Sequence, residues 1–271
     1  QIVLFINLTY FEKLSVDKGT SYYWRGDVDN NWVQFGGYYW RIVRVNGDGS
    51  VRLIYNGTST TTTGTGTMIN NGANQQFNSS YNRSEYVGLK YTQGQQHGQT
   101  TDSPILNTLQ SWYTSSNLDD YADYIDTSVG FCSDRNMASG SSWSSQPSST
   151  INYAAYGRLY TNKSPSLACT TSDIIAEPVG LITADEVAYA GGVYGQTNNG
   201  YYLYTNQYYW TMSPYYFYST GNAYVFRVNS GGGLNRNVVD SPRGVRPVIN
   251  LKANTKFQGS GTESDPYEVV S

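Results

Sequence analysis

Charge is the first thing this sequence lacks. Asp, Glu, Lys and Arg make up 14% of its 271 residues, the net charge is -3, and the 17 basic residues are scattered. Nucleic-acid binders and polybasic membrane-surface proteins both concentrate Lys and Arg to meet phosphates, so neither class fits. Histidine is nearly absent: His97 is the single one, and a Ser–His–acid or Cys–His arrangement would have to be built on it. It stands in Gln95-Gln96-His97-Gly98-Gln99, which reads as an exposed loop. No apolar run approaches the roughly 18–20 residues of a membrane-spanning helix, and no charged-then-apolar leader is present. A phosphate loop, a dinucleotide-binding turn and a metalloprotease motif are also missing. The expectation is a non-enzymatic protein with no catalytic residue, cofactor or metal. An enzyme relying on His97 or Glu177 is the catalytic alternative. Asp119, Asp123 and Asp126 share a face at helical spacing, but calcium takes roughly six to eight oxygens from a shaped loop, so they read as a solvated acidic face.

Cysteine is equally scarce. Cys132 and Cys169 fit no zinc spacing. They are either a disulfide or two unrelated buried thiols. Thr, Ser, Asn, Gly and Tyr stand where Lys and Glu usually do, a surface common on exported proteins, and that favours the disulfide. Closing the loop would stabilise the fold by roughly 3–4 kcal/mol.

What the chain does have is β-prone residues and turn formers, so strands and long loops are expected to dominate. Ile2-Val3-Leu4-Phe5-Ile6-Asn7-Leu8 opens it. Within a domain this is an ordinary strand, the usual case; free, it is an adhesive edge able to pair with an identical subunit. Residues 1–18 are therefore set apart as an N-terminal strand segment, and 19–271 are read as one domain. Tyr22–Gly26 and Trp32–Phe35 are short strands. Tyr39–Val45 and Val51–Tyr55 flank Asn46-Gly47-Asp48-Gly49, whose Asn-Gly and Asp-Gly steps supply the positive φ of a tight hairpin. From Thr58 to about Thr101 no periodicity is visible, which suggests an exposed excursion.

Ser103-Pro104 is a helix start, and Ile105, Leu106, Leu109, Trp112 and Tyr113 then fall on one face. A second short helix is expected from Leu118 to Ile125. Val179–Ile182 reads as a buried strand feeding Thr183-Ala184-Asp185-Glu186, a capping box whose helix ends at Gly191-Gly192. Strands follow at Tyr208–Ser213, Asn222–Val228 and Val245–Leu251, with a final edge strand from Thr262 to Val270. This is an α+β chain, strand- and loop-rich, with two or three short helices.

The unit Leu181-Ile182-Thr183-Ala184-Asp185-Glu186-Val187-Ala188-Tyr189-Ala190-Gly191-Gly192 resembles the Leu-Pro-Thr-Glu-Ala-Glu-Trp-Glu-Tyr-Ala-Ala unit of formylglycine-generating enzymes, and Gly244-Val245-Arg246 is similar to their closing turn. That resemblance implies a C-type-lectin-like fold. Four phrases, Gly19–Gly26, Trp40–Gly49, Gly130–Arg135 and Gly244–Leu251, resemble those of Firmicutes surface and pilin-like proteins. This likeness covers most of residues 19–270 and implies an extracellular, cell-surface location. The Tyr/Asn/Ser-rich stretch before Gly244 is similar to the variable region of retroelement-diversified proteins with the same fold. Formylglycine chemistry needs C-terminal cysteines, and none follows Cys169. The calcium-dependent sugar sites of animal C-type lectins differ from Glu177-Pro178-Val179 and Trp210-Thr211-Met212.

Eight tyrosines lie between Tyr201 and Tyr218. Tyrosine gives a large rigid ring with a polar tip at little entropic cost, so binding loops favour it together with Ser, Gly and Asn. Trp210 with Met212, and Tyr224 with Phe226, are expected to face the core. The candidate ligand-binding residues are Tyr215, Tyr216, Phe217, Tyr218, Asn222, Asn229, Asn235, Arg236 and Asn237. Two functions follow: a bacterial adhesion or binding protein taking a glycan or protein ligand on another cell or host surface, or a pilin-like filament subunit joined through Ile2–Leu8.

Overall fold

A computed structural model describes residues 19–270 together with the backbone of Phe11–Val16. The Ile2–Leu8 expectation lies outside the described residues. The chain is mixed α and β, with three short α-helices among the described residues and strands in open sheets rather than a barrel. No described helix is long and apolar enough to cross a membrane.

The first strands are β1 (Phe11–Val16), β2 (Gly19–Trp24), β3 (Trp32–Phe35), β4 (Tyr38–Val45) and β5 (Val51–Gly57). Then come β6 (Lys90–Tyr91), β7 (Thr101–Asp102), helix α1 (Pro104–Ser115), β8 (Phe131–Cys132), β9 (Ile151–Asn152), α2 (Ala154–Tyr156), β10 (Ile174–Ile175) and α3 (Ala184–Ala190). The last are β11 (Tyr209–Tyr218), β12 (Asn222–Val228), β13 (Leu234–Val238), β14 (Val248–Leu251), β15 (Lys256–Gln258) and β16 (Tyr267–Val270).

The larger sheet has eight strands centred on β4. One edge of β4 is shared end to end by β3 (Trp32 opposite Arg41) and β2 (Tyr23 opposite Arg44), while β5 takes the other edge and β14 extends it. The β4–β5 hairpin forms as its sequence dictates. Gly49 sits at φ 88°, and Asp48 Oδ1 accepts from Ser50 N at 2.9 Å. The closing strand β16 is not an edge. It runs parallel to β3, with Tyr267 opposite Val33, and β15 covers its far side. Trp24, Trp40, Leu53, Ile54 and Ile249 are fully buried here.

Ser103 caps α1, Pro104 fills its first turn, and Ile105, Leu106, Leu109, Trp112 and Tyr113 are its buried stripe. The helix expected at Leu118–Ile125 is shorter: Leu118–Tyr121 is 3-10 helix, and the chain goes on to Ile125 in hydrogen-bonded turns. Val179–Ile182 is buried but joins the sheet only at Gly180, which exchanges two 2.9 Å hydrogen bonds with Val248.

The stretch from Thr58 to Thr101 is not an exposed excursion. Met68, Ile69, Phe77, Val87 and Leu89 are core residues. Phe77 meets Trp210 edge-on at 5.7 Å, and Trp210 Nε1 donates to Gln75 O at 2.8 Å. Long-range partners of this kind satisfy a backbone that has no ladder of its own.

The second sheet, ordered β13-β12-β11-β9, carries the tyrosine-rich stretch. Its edge strand β13 is reached through a turn at Ser230–Gly233 that only glycine permits. A Cβ on Gly232 would stand 1.9 Å from Asn198 O, and one on Gly233 1.8 Å from Gln196 O.

Candidate functional site

The nine candidate ligand-binding residues do not form one surface. Residues 215–222 are not a loop: β11 runs through Tyr218, turns over Ser219–Gly221 and returns as β12. Tyr215 and Phe217 are 3% and 2% exposed and belong to the core. The cause is a break in register between Trp210 and Tyr216, around Pro214, which lacks the N–H a regular ladder needs. Asn229 is a turn residue whose Oδ1 accepts from Gly231 N and Gly233 N at 2.9 and 3.0 Å. Further upstream, Tyr201, Tyr202 and Tyr209 are buried, with Tyr201 donating to Gly232 O and Tyr209 to Leu203 O. Trp210, Met212 and Phe226 are buried as expected, whereas Tyr224 is half-buried.

The remainder sorts by side of the sheet. Tyr216 pairs with Tyr224, Tyr218 with Asn222, and Phe226 with Arg236, so these side chains share one side. Tyr216 lies 4.7 Å from Tyr224 and 5.6 Å from Tyr218, and Tyr218 is 43% exposed. Sequence reasoning missed the rest of this face. Strand β9 pairs with β11 and delivers the helical segment 154–162 beside it. That segment brings Tyr156, which stacks on Tyr160 at 4.9 Å and meets Tyr215 edge-on at 5.0 Å. Tyr194 stacks on Tyr215 at 5.6 Å and accepts its hydroxyl hydrogen bond at 3.0 Å. Burial, reinforced by that hydrogen bond, holds the Tyr215 phenol far above its ordinary value, so it stays neutral. Lys163 Nζ sits 5.5 and 5.7 Å from the rings of Tyr160 and Tyr194, and exposed Arg236 stands 5.9 Å from Tyr215. The result is a half-buried aromatic patch edged by two cations.

Asn235 and Asn237 lie on the other side. Asn235 Oδ1 accepts from its neighbour Arg236, and Asn237 Oδ1 from Arg227 and Arg243.

A pocket of about 150 Å³ opens between β4, β5, α3 and the disulfide. Cys132 and Cys169 are bonded, with Cα atoms 5.9 Å apart, as their composition-based reading expected. On the pocket wall Glu186 closes the capping box with Thr183 and also takes Arg44 Nε at 2.9 Å and Arg52 Nε at 2.8 Å. Beside it Asp185 accepts a two-pronged pair from Arg158 at 2.8 and 2.9 Å, and Arg158 also meets Asp134. Burial pushes the Asp134 carboxyl up to about 6 despite the pull of Arg158, with Asp185 and Asp173 adding to the rise. Burial works against the charge on Glu186, yet Arg52 and Arg44 hold it below the usual carboxylate range. The signal for this pocket was present in the sequence as arginines inside otherwise apolar strands, Val43-Arg44-Val45 and Val51-Arg52-Leu53. Three of the four phrases singled out in the sequence contribute to it: Ser21; Arg44, Asn46, Gly47 and Asp48; and Gly130, Cys132 and Asp134.

His97 and Glu177 line neither site. His97 Nδ1 is 2.9 Å from Asp173 Oδ1, and Asp173 also accepts from Arg135 N and Thr170, so the imidazole anchors a loop. It is half-buried rather than exposed. Glu177 pairs with Lys90 at 2.6 Å. Among the described residues no group of three or more His, Cys, Asp or Glu is placed to hold a metal ion.

With that geometry in place, similarity to other proteins covers one part of the chain. Residues 183–253 match a domain of unknown function, DUF6273. The match begins at the capping box of α3 and runs through the whole of β11, β12, β13 and β14, about a quarter of the chain. No curated protein and no solved structure matches.

Proposed function

We propose that this chain is an extracellular, non-enzymatic binding or adhesion domain of a bacterial surface protein, with a C-type-lectin-like arrangement. Its contacts are made through the aromatic face of β11–β12. The observation that carries the reading is the patch of Tyr156, Tyr160, Tyr216, Tyr218 and Tyr224 with Arg236 and Lys163 at its edge. Rigid amphipathic rings that keep part of their surface in water suit stacking on sugars or anchoring a protein partner. The disulfide supports an oxidising location. The mixed sheets and short helices, and the strand-like entry into a capped α3, support the lectin-like arrangement.

A glycan and protein array tests the reading. Substituting Tyr216, Tyr218 and Tyr160 by Ala should weaken the captured ligand at least about tenfold while the fold melts as before, since hot-spot tyrosines carry about 2 kcal/mol or more. Unchanged binding by all three variants would remove the site.

A filament role remains the second reading, favoured by one feature. Among the described residues β1 pairs on one side only, with β2, and so ends the eight-stranded sheet. Deleting residues 1–10 and imaging the product decides it, because filaments that persist rule this role out.

A further inference from the structure

Buried arginines in this fold are matched. Arg44 and Arg52 meet Glu186, Arg135 meets Asp173, and Arg158 meets Asp134 and Asp185. Arg41 and Arg246 spend their N–H groups on buried carbonyl and amide oxygens. Arg227 and Arg243 break the pattern. Their guanidinium carbons stand 4.5 and 5.5 Å from the centre of the Tyr208 ring. Both donate to one neutral oxygen, Asn237 Oδ1, at 3.4 and 3.0 Å. Arg243 Nη1 also donates to Pro242 O at 2.6 Å. Arg227 Nη1 and Arg243 Nε are buried without a hydrogen-bond partner; so are Arg52 Nε and Arg135 Nε and Nη2, but those two arginines face a carboxylate. Among the described residues no carboxylate forms an ion pair with either arginine.

Two like charges sharing one uncharged acceptor repel, and buried N–H groups without partners are costly. Burial and the neighbouring Arg243 together lower the Arg227 guanidinium to about 10. A planar anion on the solvent-facing nitrogens of the pair would offset the repulsion, because guanidinium groups bind oxyanions through paired hydrogen bonds. Tyr208 is 44% exposed and supplies an apolar wall beside the pair. Two cations are too few for a nucleic-acid backbone, and the net charge of -3 gives no general pull on polyanions. One anionic group attached to a ring whose C–H face can lie on tyrosine fits the geometry.

We propose that Arg227, Arg243, Asn237 and Tyr208 form a site for the carboxylate or sulfate of an acidic sugar. The site lies on the side of β12 opposite Tyr224 and Phe226, and it does not rest on the aromatic face described above.

Biolayer interferometry at physiological salt with polygalacturonate, dextran sulfate and neutral dextran tests it. At least one acidic polymer should bind and dextran should not; which acidic polymer binds tells carboxylate from sulfate. Arg243→Gln and Arg227→Gln should each weaken binding about tenfold or more, the loss expected for a charge-assisted contact. Arg227→Lys should weaken it as well, because the charge stays but the fork is lost. Lys256→Gln, an exposed charge elsewhere, and Tyr218→Ala on the other face should bind within about twofold of the parent. Should Arg227→Gln fail to fold, Arg243→Gln decides. The proposal is overturned if no acidic polymer binds better than dextran. Equal weakening by Lys256→Gln and Arg243→Gln, or loss of binding in Tyr218→Ala, also overturns it.

Discussion

Replacing Glu186 with Gln probes the centre of the pocket. The substitution keeps the length of the side chain and an oxygen that can still close the capping box with Thr183. What it removes is the negative charge between Arg44 and Arg52. Arg52 is 2% exposed and Arg44 17%, so water can partly compensate one guanidinium but not the other. Breaking a buried pair while leaving its partner charged costs about 3–5 kcal/mol. At about 2.1 cal/mol/K per residue, 271 residues give an unfolding entropy near 0.57 kcal/mol/K, so Tm should fall by about 5–9 °C. Calorimetry and urea titration followed by tryptophan fluorescence would read the change, and high salt should restore little because the pair is shielded from solvent. Arg44→Gln should cost distinctly less than Arg52→Gln. A Glu186→Gln protein melting within about 2 °C of the parent would refute the view that this carboxylate ties α3 to β4 and β5.

Two further outcomes follow from the same region. Reducing the Cys132–Cys169 bond releases a closed loop spanning residues 132–169. By loop entropy that costs about 4 kcal/mol and should lower Tm by about 7 °C; calorimetry with and without a phosphine reductant measures it, and an unchanged Tm contradicts the account. The Asp134 carboxyl, raised to about 6 when folded, binds its proton more tightly folded than unfolded. Its contribution is therefore present below pH about 4 and is lost as pH rises towards 6, by up to about 3 kcal/mol. Urea midpoints of the parent should fall over that window relative to Asp134→Asn, and parallel curves would count against the buried-carboxyl assignment.

Local chemistry was legible in the sequence wherever one segment holds all the partners. Ser103-Pro104 with its apolar stripe, the Asn46–Gly49 turn and the Thr183–Glu186 box each satisfy their own backbone and form as read. The stretch around Phe77 was illegible because its apolar residues follow no period and its backbone bonds reach distant partners such as Val239 and Arg243. Tyr215 was misplaced because alternation fails across the irregularity at Pro214. The pocket was hidden for another reason. Arg44, Arg52, Arg158, Asp134 and Glu186 are far apart in sequence, and only the fold makes them neighbours.

The irregularity at Pro214 has an evolutionary consequence. It buries Tyr215 and Phe217 while leaving their neighbours Tyr216 half-buried and Tyr218 exposed on the same strand. Under the proposed binding role, stability and contact chemistry would thus fall to neighbouring residues of one strand. Such a strand can change what it presents to a partner, residue by residue, while the fold that displays it stays the same.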